Sequence, residues 1–202
     1  MWAAQAAVAA PPAPPAAPRA APDAIAPAEP IERLAAMLRG DRERRGRPYA
    51  VVDKRTATLR VWRADGTLAG ISTVLIGRTP GDRALPGTGA RTEAGLLSLD
   101  DMTTPAGRYD SEPGRNLQGE AIVWLDYDNA LAIHRLRPGA SQAERLRRLA
   151  SALPADKRAS AGCVVVPVAF YDGVVAPLLG RGRGWVVVLP ENGAVEDAAS
   201  VL

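Results

Sequence analysis

Histidine and cysteine each occur once in this 202-residue chain, as His134 and Cys163, and lysine only twice, as Lys54 and Lys157. One cysteine excludes an intramolecular disulfide framework, and one cysteine with one histidine excludes a Cys/His zinc cluster. No metal or cofactor is implied, because the glycines of residues 87–95 lack the strand-then-helix setting of a nucleotide loop. No apolar run approaches the ~18 residues that a spanning helix needs, so no membrane span is expected. The 25 basic residues against 22 acidic ones leave a net charge of +3. With lysine nearly absent, that arginine excess reads as coding bias as much as a polyanion surface, and no nucleic-acid partner is expected.

What is present suits one globular domain of ~100–200 residues with a real core, since 47% of the chain is hydrophobic. Residues 1–30 hold 14 Ala and 8 Pro. That composition has too little large apolar surface to offset the entropy of ordering, so a disordered Ala/Pro-rich segment is expected. It reads equally as a low-complexity linker or as the remnant of an export signal. Within residues 31–47, a leading helix and a charged connector are expected, because Ile31, Leu34, Ala35 and Leu38 fall at helical spacing between Pro30 and Gly40. Residues 192–202 read as a C-terminal tail.

From residue 48 to residue 191 the pattern turns to period two. Strands are expected at residues 49–53, 59–63 and 68–76, with an Asp65-Gly66 turn between the second and third. More follow at 107–111, 121–127, 130–136 and 185–189, which makes the domain mainly antiparallel β with short helices. One helix opens on the capping box Ser141-x-x-Glu144, carries Leu146, Leu149, Ala150 and Leu153, and stops at Pro154. The other starts at Pro167 and carries Phe170, Tyr171, Val174, Val175 and Leu178 as a core stripe.

The chemistry concentrates at Ser160-Ala161-Gly162-Cys163, ahead of the β-prone run at residues 164–166. A Gly beside a nucleophilic Cys lets a carbonyl approach, and the Cys N–H can face a developing oxyanion. Free cysteine is also among the most often buried residue types, so spacing alone favours a packed core thiol. A thiol needs a base or an imidazolium beside it to react near neutral pH, and His134 is the one imidazole available. If the two meet, Cys163 should be reachable from solvent and titrate below the ordinary thiol value.

Residues 48–191 resemble the L,D-transpeptidase catalytic domain (YkuD-type), whose pattern is a strand His, a spacer and Ser/Thr-x-Gly-Cys. Here it reads His134 and then Ser160-Ala161-Gly162-Cys163, with 28 residues between His134 and Cys163. Thr104-Pro105-Ala106-Gly107-Arg108-Tyr109 matches a further family element, and residues 186–190 look like its closing strand. The resemblance implies a β-sandwich-like domain acting on peptidoglycan stem peptides. Cys163 would be the nucleophile and His134 the general base, with the Ser160 carbonyl orienting the imidazole and Gly162 and Cys163 giving oxyanion donors. Tyr109, Arg135 and Val165 fall on the substrate side. It also implies an exported, periplasmic or envelope location and reaction with carbapenem-type inhibitors.

Two positions depart from the family pattern. Val165 stands where relatives carry Arg or Asn, and Ala161 where His is common. The long spacer comes from the helix-bearing insert 138–158, which is expected to lie beside the site as a flap. Arg135, Arg137 and Arg158 are candidates to bind a donor carboxylate instead. Two other readings follow: a weak or inactive binder of wall peptide or protein with the same fold, and an L,D-carboxypeptidase or amidase in which water resolves the acyl-enzyme.

Overall fold

A computed structural model describes residues 29–40 and 46–191. The expectations for residues 1–28, 41–45 and 192–202 lie outside the described residues. Strands β1 (Tyr49–Asp53) and β10 (Gly184–Val188) are buried along their whole length because each carries apolar residues on both faces. Ala50, Val52, Val186 and Val188 face the main core, and Tyr49, Val51, Trp185 and Val187 face the other way. The second face is covered by α1 (Glu29–Gly40), whose Ile31, Leu34, Ala35 and Leu38 form a buried stripe at i, i+3, i+4 and i+7.

The hairpin of β2 (Thr58–Trp62) and β3 (Leu68–Thr73) forms as the turn residues require. The Gly66 N–H donates to the Arg63 carbonyl at 2.9 Å, and the Thr67 N–H to the Asp65 carboxylate at 2.8 Å. The strand expected to run to residue 76 ends at Thr73. Residues Ile76–Gly77 form β4, which pairs with β8 (Arg158–Ser160) in a separate two-stranded sheet.

With β5 at Gly107–Arg115, β6 at Ala121–Asp126, β7 at Leu131–Arg135 and β9 at Val164–Val166, the main sheet has the order β3-β2-β1-β10-β5-β6-β7-β9. Two of its pairings correct the antiparallel expectation: β1 runs parallel to β10, and β7 (Leu131–Arg135) parallel to β9 (Val164–Val166). A parallel return needs a crossover of a dozen or more residues. The insert with α3 (Gln142–Ala150) supplies it between β7 and β9. Strand β5 (Gly107–Arg115) runs past its expected end, pairing first with β10 and then with β6 (Ala121–Asp126). The sheet thereby folds over on itself. Leu59, Val61 and Val186 from one half and Val123, Ile133 and Val164 from the other share one buried core. The fold is mainly β with few short helices.

The helices differ in detail from the reading of the sequence. The capping box does not close, because Ser141 makes no side-chain cap and Glu144 is taken by Arg147 and Arg148 one turn on. Of the α3 stripe only Leu149 is buried, while Leu146 and Leu153 are exposed. Pro154 opens a 3-10 turn (Pro154–Lys157). The last helix, α4 (residues 168–178), has Pro167 as its flanking residue and widens into a π-turn at Tyr171–Val175, burying Tyr171 and Val175. A short helix not anticipated from sequence, α2 (Thr88–Glu93), precedes β5.

Candidate active site

Two devices fix the turn that carries Cys163. Gly162 has φ 123°, and a Cβ there would lie 2.9 Å from the Thr103 carbonyl oxygen, so only glycine fits. Its N–H donates to Ser160 Oγ at 3.1 Å, and its carbonyl accepts from Thr104 Oγ1 at 2.6 Å. Thr104 Oγ1 also accepts from the Gly77 N–H at 2.8 Å, tying β4 to the same turn. Behind Thr104 stands Lys54, whose side chain is entirely buried. Its ammonium donates to the carbonyls of Thr104 (2.9 Å) and Gly81 (2.6 Å) and to Asp82 (2.7 Å), with Glu191 3.5 Å away.

Cys163 is half-buried, and its thiol donates weakly to the Ala130 carbonyl, 3.4 Å away. Ala130 sits in the left-handed region at φ 54°, a strained setting for a residue with a Cβ, and this aims its carbonyl at the sulfur. Burial pushes the thiol pKa up, partly offset by the Ala132 N–H and the Arg137 charge. The expectation of a depressed thiol pKa is therefore corrected: the free thiol is held protonated. An open cavity of about 50 Å³ reaches Cys163, lined also by Thr88, Asp101, Thr103, Asn129 and Ala161. Asp101 is fixed in it by Arg91, Ser98 and Thr88, and the Arg91 guanidinium holds its carboxyl well below the usual range.

His134 lies on β7, opposite Val165 in the register with β9. Cys163 is one step before β9, level with Ala132, so side-chain alternation puts Cys163 and His134 on the same face as diagonal neighbours. Among the described residues no hydrogen bond joins them. His134 Nδ1 is 2.8 Å from the Arg135 carbonyl, which only an Nδ1–H can satisfy, so the neutral ring carries its lone pair on Nε2. Burial, with Arg137 and Arg145 adding to it, pushes the His134 pKa down to about 4 against the pull of the Arg135 carbonyl and Glu120. The ring is a neutral base at physiological pH.

That depression has a measurable consequence for stability. The unfolded chain protonates its histidine near ~6.5, well before the folded one does, so stability falls as pH drops from about 6.5 toward 4. The loss amounts to on the order of 2–3 kcal/mol. Urea denaturation of wild type and His134→Gln at pH 4.5 and 7 should show a larger drop in the wild type. Equal drops would mean that His134 is solvated in the fold.

The remaining candidates scatter. The Ser160 carbonyl accepts from the Arg78 N–H at 3.1 Å, so the carbonyl beside His134 is that of Arg135 and not of Ser160. Tyr109 packs on the core with its hydroxyl 3.2 Å from the Pro105 carbonyl, and burial pushes its pKa up to about 12. Arg135 faces Asp172 at 3.5 Å and Arg158 faces Glu191 at 2.5 Å, so neither is a free carboxylate ligand. Val165 is fully buried with Leu75, Leu136 and Leu149 beneath α3, off the cavity lining. An amide there has no partner, so Val165→Asn should cost about 2–3 kcal/mol in urea denaturation and add nothing to the site. A neutral result would place the side chain in solvent.

Sequence reasoning missed Lys54, Asp101 and the hydroxyl role of Thr104. The rarity of lysine was a usable signal for Lys54, and the Thr-Pro-x-Gly element marked Thr104 without its bonding.

No protein-family model and no curated protein matches the chain. Solved structures do show similarity. The helical cell shape determining protein Pgp2 from Campylobacter jejuni is 16% identical, the match covering 75% of this chain and 52% of that one, at a TM-score of 0.47. The L,D-transpeptidase from Xylanimonas cellulosilytica is also 16% identical, with 71% and 60% covered and a TM-score of 0.41. The catalytic domain of the E. faecium L,D-transpeptidase is 18% identical, with 70% and 95% covered and a TM-score of 0.33. The chain thus spans about half the length of the Campylobacter protein.

Proposed function

We propose that this protein is an L,D-transpeptidase-like cysteine acyltransferase acting on peptidoglycan stem peptides in the cell envelope. The observation that carries the reading is the Cys163 turn: a cysteine that lines a cavity, follows a glycine that tolerates no Cβ, and lies on the same sheet face as a neutral imidazole. A protonated thiol and a neutral base are the correct resting forms for general-base attack. When a donor tetrapeptide enters, Sγ leaves the Ala130 carbonyl, gives its proton to His134 Nε2 and attacks the carbonyl before the terminal D-alanine. The S–C bond forms, the C–N bond breaks, and the imidazolium returns its proton to the departing amine. The thioester is then resolved by the amine of a second stem or by water.

No step in this sequence uses a metal. The test is release of D-alanine from a tetrapeptide donor, with the cross-linked product and the tripeptide acid separated chromatographically. Cross-linking supports the transferase reading, tripeptide alone the carboxypeptidase outcome, and no release with either acceptor refutes both.

A further inference from the structure

We propose that residues 83–101 form a self-braced wall that limits the size of what reaches Cys163, with Arg91 and Gly89 as its positioning residues. Strand β4 ends at Gly77 and β5 starts at Gly107, and the chain between them leaves the sheet and returns through one neck. At that neck the Thr79 N–H donates to the Met102 carbonyl at 3.1 Å, and the Ala106 N–H to the Asp82 carbonyl at 3.0 Å. Lys54 ties its two sides together, through Gly81 and Asp82 on one and Thr104 on the other. Beyond the neck the segment stands by itself. Among the described residues, every hydrogen bond made by residues 83–101 ends within residues 79–102.

What orders the segment is polar. Its buried residues are Thr88, Gly89 and Asp101, while Leu85, Leu96 and Leu99 are exposed, so apolar packing does little to fix its shape. The Asp101 carboxylate accepts from Arg91 Nε at 3.0 Å and from Arg91 Nη2. It also accepts from the Ser98 N–H at 2.9 Å and the Ser98 hydroxyl at 2.8 Å, and lies 3.0 Å from Thr88 Oγ1. One carboxylate thus joins both ends of α2 to the chain that follows it, by charge-assisted hydrogen bonds that hold a loop without help from the sheet.

The wall is seated on the body of the protein where α2 meets the β6–β7 turn. A Cβ on Gly89 would lie 2.0 Å from the Asp128 carbonyl oxygen, so a larger residue there would lift the helix. The next two residues of that turn, Asn129 and Ala130, line the cavity, and the Ala130 carbonyl receives the thiol. From the wall, Ala84, Thr88, Thr92, Leu97 and Asp101 line it. The space enclosed, about 50 Å³, holds a group of a few non-hydrogen atoms. Neither Arg91 nor Gly89 lines it. Arg91 acts through Asp101 and Thr88, and Gly89 by letting α2 sit against the turn. This filter is a property of the thiol's surroundings and stands apart from the reaction. Its consequence for donors, a small group beside the carbonyl under attack, rests on the function proposed above.

The test compares iodoacetamide with iodoacetanilide, which differs by a phenyl ring on the amide nitrogen. With either reagent the Cys163 sulfur forms an S–C bond, iodide leaves, and the thiol proton passes to the buffer. Each rate is divided by that of free N-acetylcysteine with the same reagent. In the wild type the corrected iodoacetanilide rate should be well below the iodoacetamide rate, because the larger reagent reacts only in the fraction of molecules whose wall is open. The ratio of the two should rise about 5- to 10-fold in Arg91→Gln and in Gly89→Ala, stay low in Arg91→Lys, and be unchanged in Arg83→Gln, an exposed position on the same segment. Hydrogen exchange in Arg91→Gln should quicken at residues 88–94 and not in β1 or β10. A wild-type ratio near one, or equal ratios in all variants, would overturn the filter. Faster exchange throughout β1 and β10 would overturn it too, since the Arg91–Asp101 pair would then support the whole fold. Ratios that behave as expected in a protein that releases no D-alanine would keep the filter and refute the acyltransferase reading.

Discussion

Replacing Lys54 with Met destabilises the fold by about 3 kcal/mol and loosens the turn on which Cys163 sits. The side chain is wholly buried and closes three hydrogen bonds at once, to the carbonyls of Gly81 and Thr104 and to the Asp82 carboxylate. Methionine fills most of the volume and satisfies none of them, leaving Asp82 and Glu191 without their shared cation. Breaking a buried pair from one side typically costs ~3–5 kcal/mol. The lower end applies because Asp82 is about one-third exposed and Arg158 still pairs with Glu191. Urea denaturation reads the loss directly, and a second variant, Lys54→Met with Glu191→Gln, should recover part of it. A loss below ~1 kcal/mol would show that Thr104 and Gly162 are held without this lysine.

Under the function proposed above, Cys163→Ser should abolish acyl transfer, by roughly 1,000-fold or more, and leave stability almost unchanged. The hydroxyl is nearly isosteric and still donates to the Ala130 carbonyl. An alcohol beside a neutral imidazole with a pKa of about 4 is a far weaker nucleophile than the thiol. Urea denaturation and D-alanine release, measured on the same preparation, separate the two effects. A stability loss above ~2 kcal/mol with activity retained would mean that Cys163 is a core thiol and the chemistry lies elsewhere.

The sequence made legible whatever depends on local periodicity. The β-prone apolar runs at residues 49–53 and 185–189, the Asp65-Gly66 turn and the Ile31-Leu34-Ala35-Leu38 stripe each gave the element found, with ends off by a residue or two. It did not make legible the partner of each strand. Nothing local in Tyr49-Ala-Val-Val-Asp53 says that it lies parallel to a strand more than a hundred residues away, or that Ile76-Gly77 leaves one sheet for another. The capping box failed for a similar reason, since Glu144 had two arginines a turn away competing for its carboxylate.

The same division holds at the site. Gly162 and Cys163 stand together because they are adjacent in the chain. His134 reaches their face through the β7–β9 pairing, which the sequence did not specify. The depressed thiol pKa expected from a Cys–His pair did not survive burial, and the carbonyl beside the imidazole is that of the next residue on its own strand. Lys54, Thr104 and the arginines around His134 act only through contacts distant in sequence.

The central claim is that Cys163 is a nucleophile activated by His134. Intact-protein mass spectrometry after incubation with a carbapenem tests it most directly. The account predicts one adduct per chain in the wild type, a much slower one in His134→Ala and none in Cys163→Ser. An unmodified wild type, or an adduct that persists in Cys163→Ser, would contradict it.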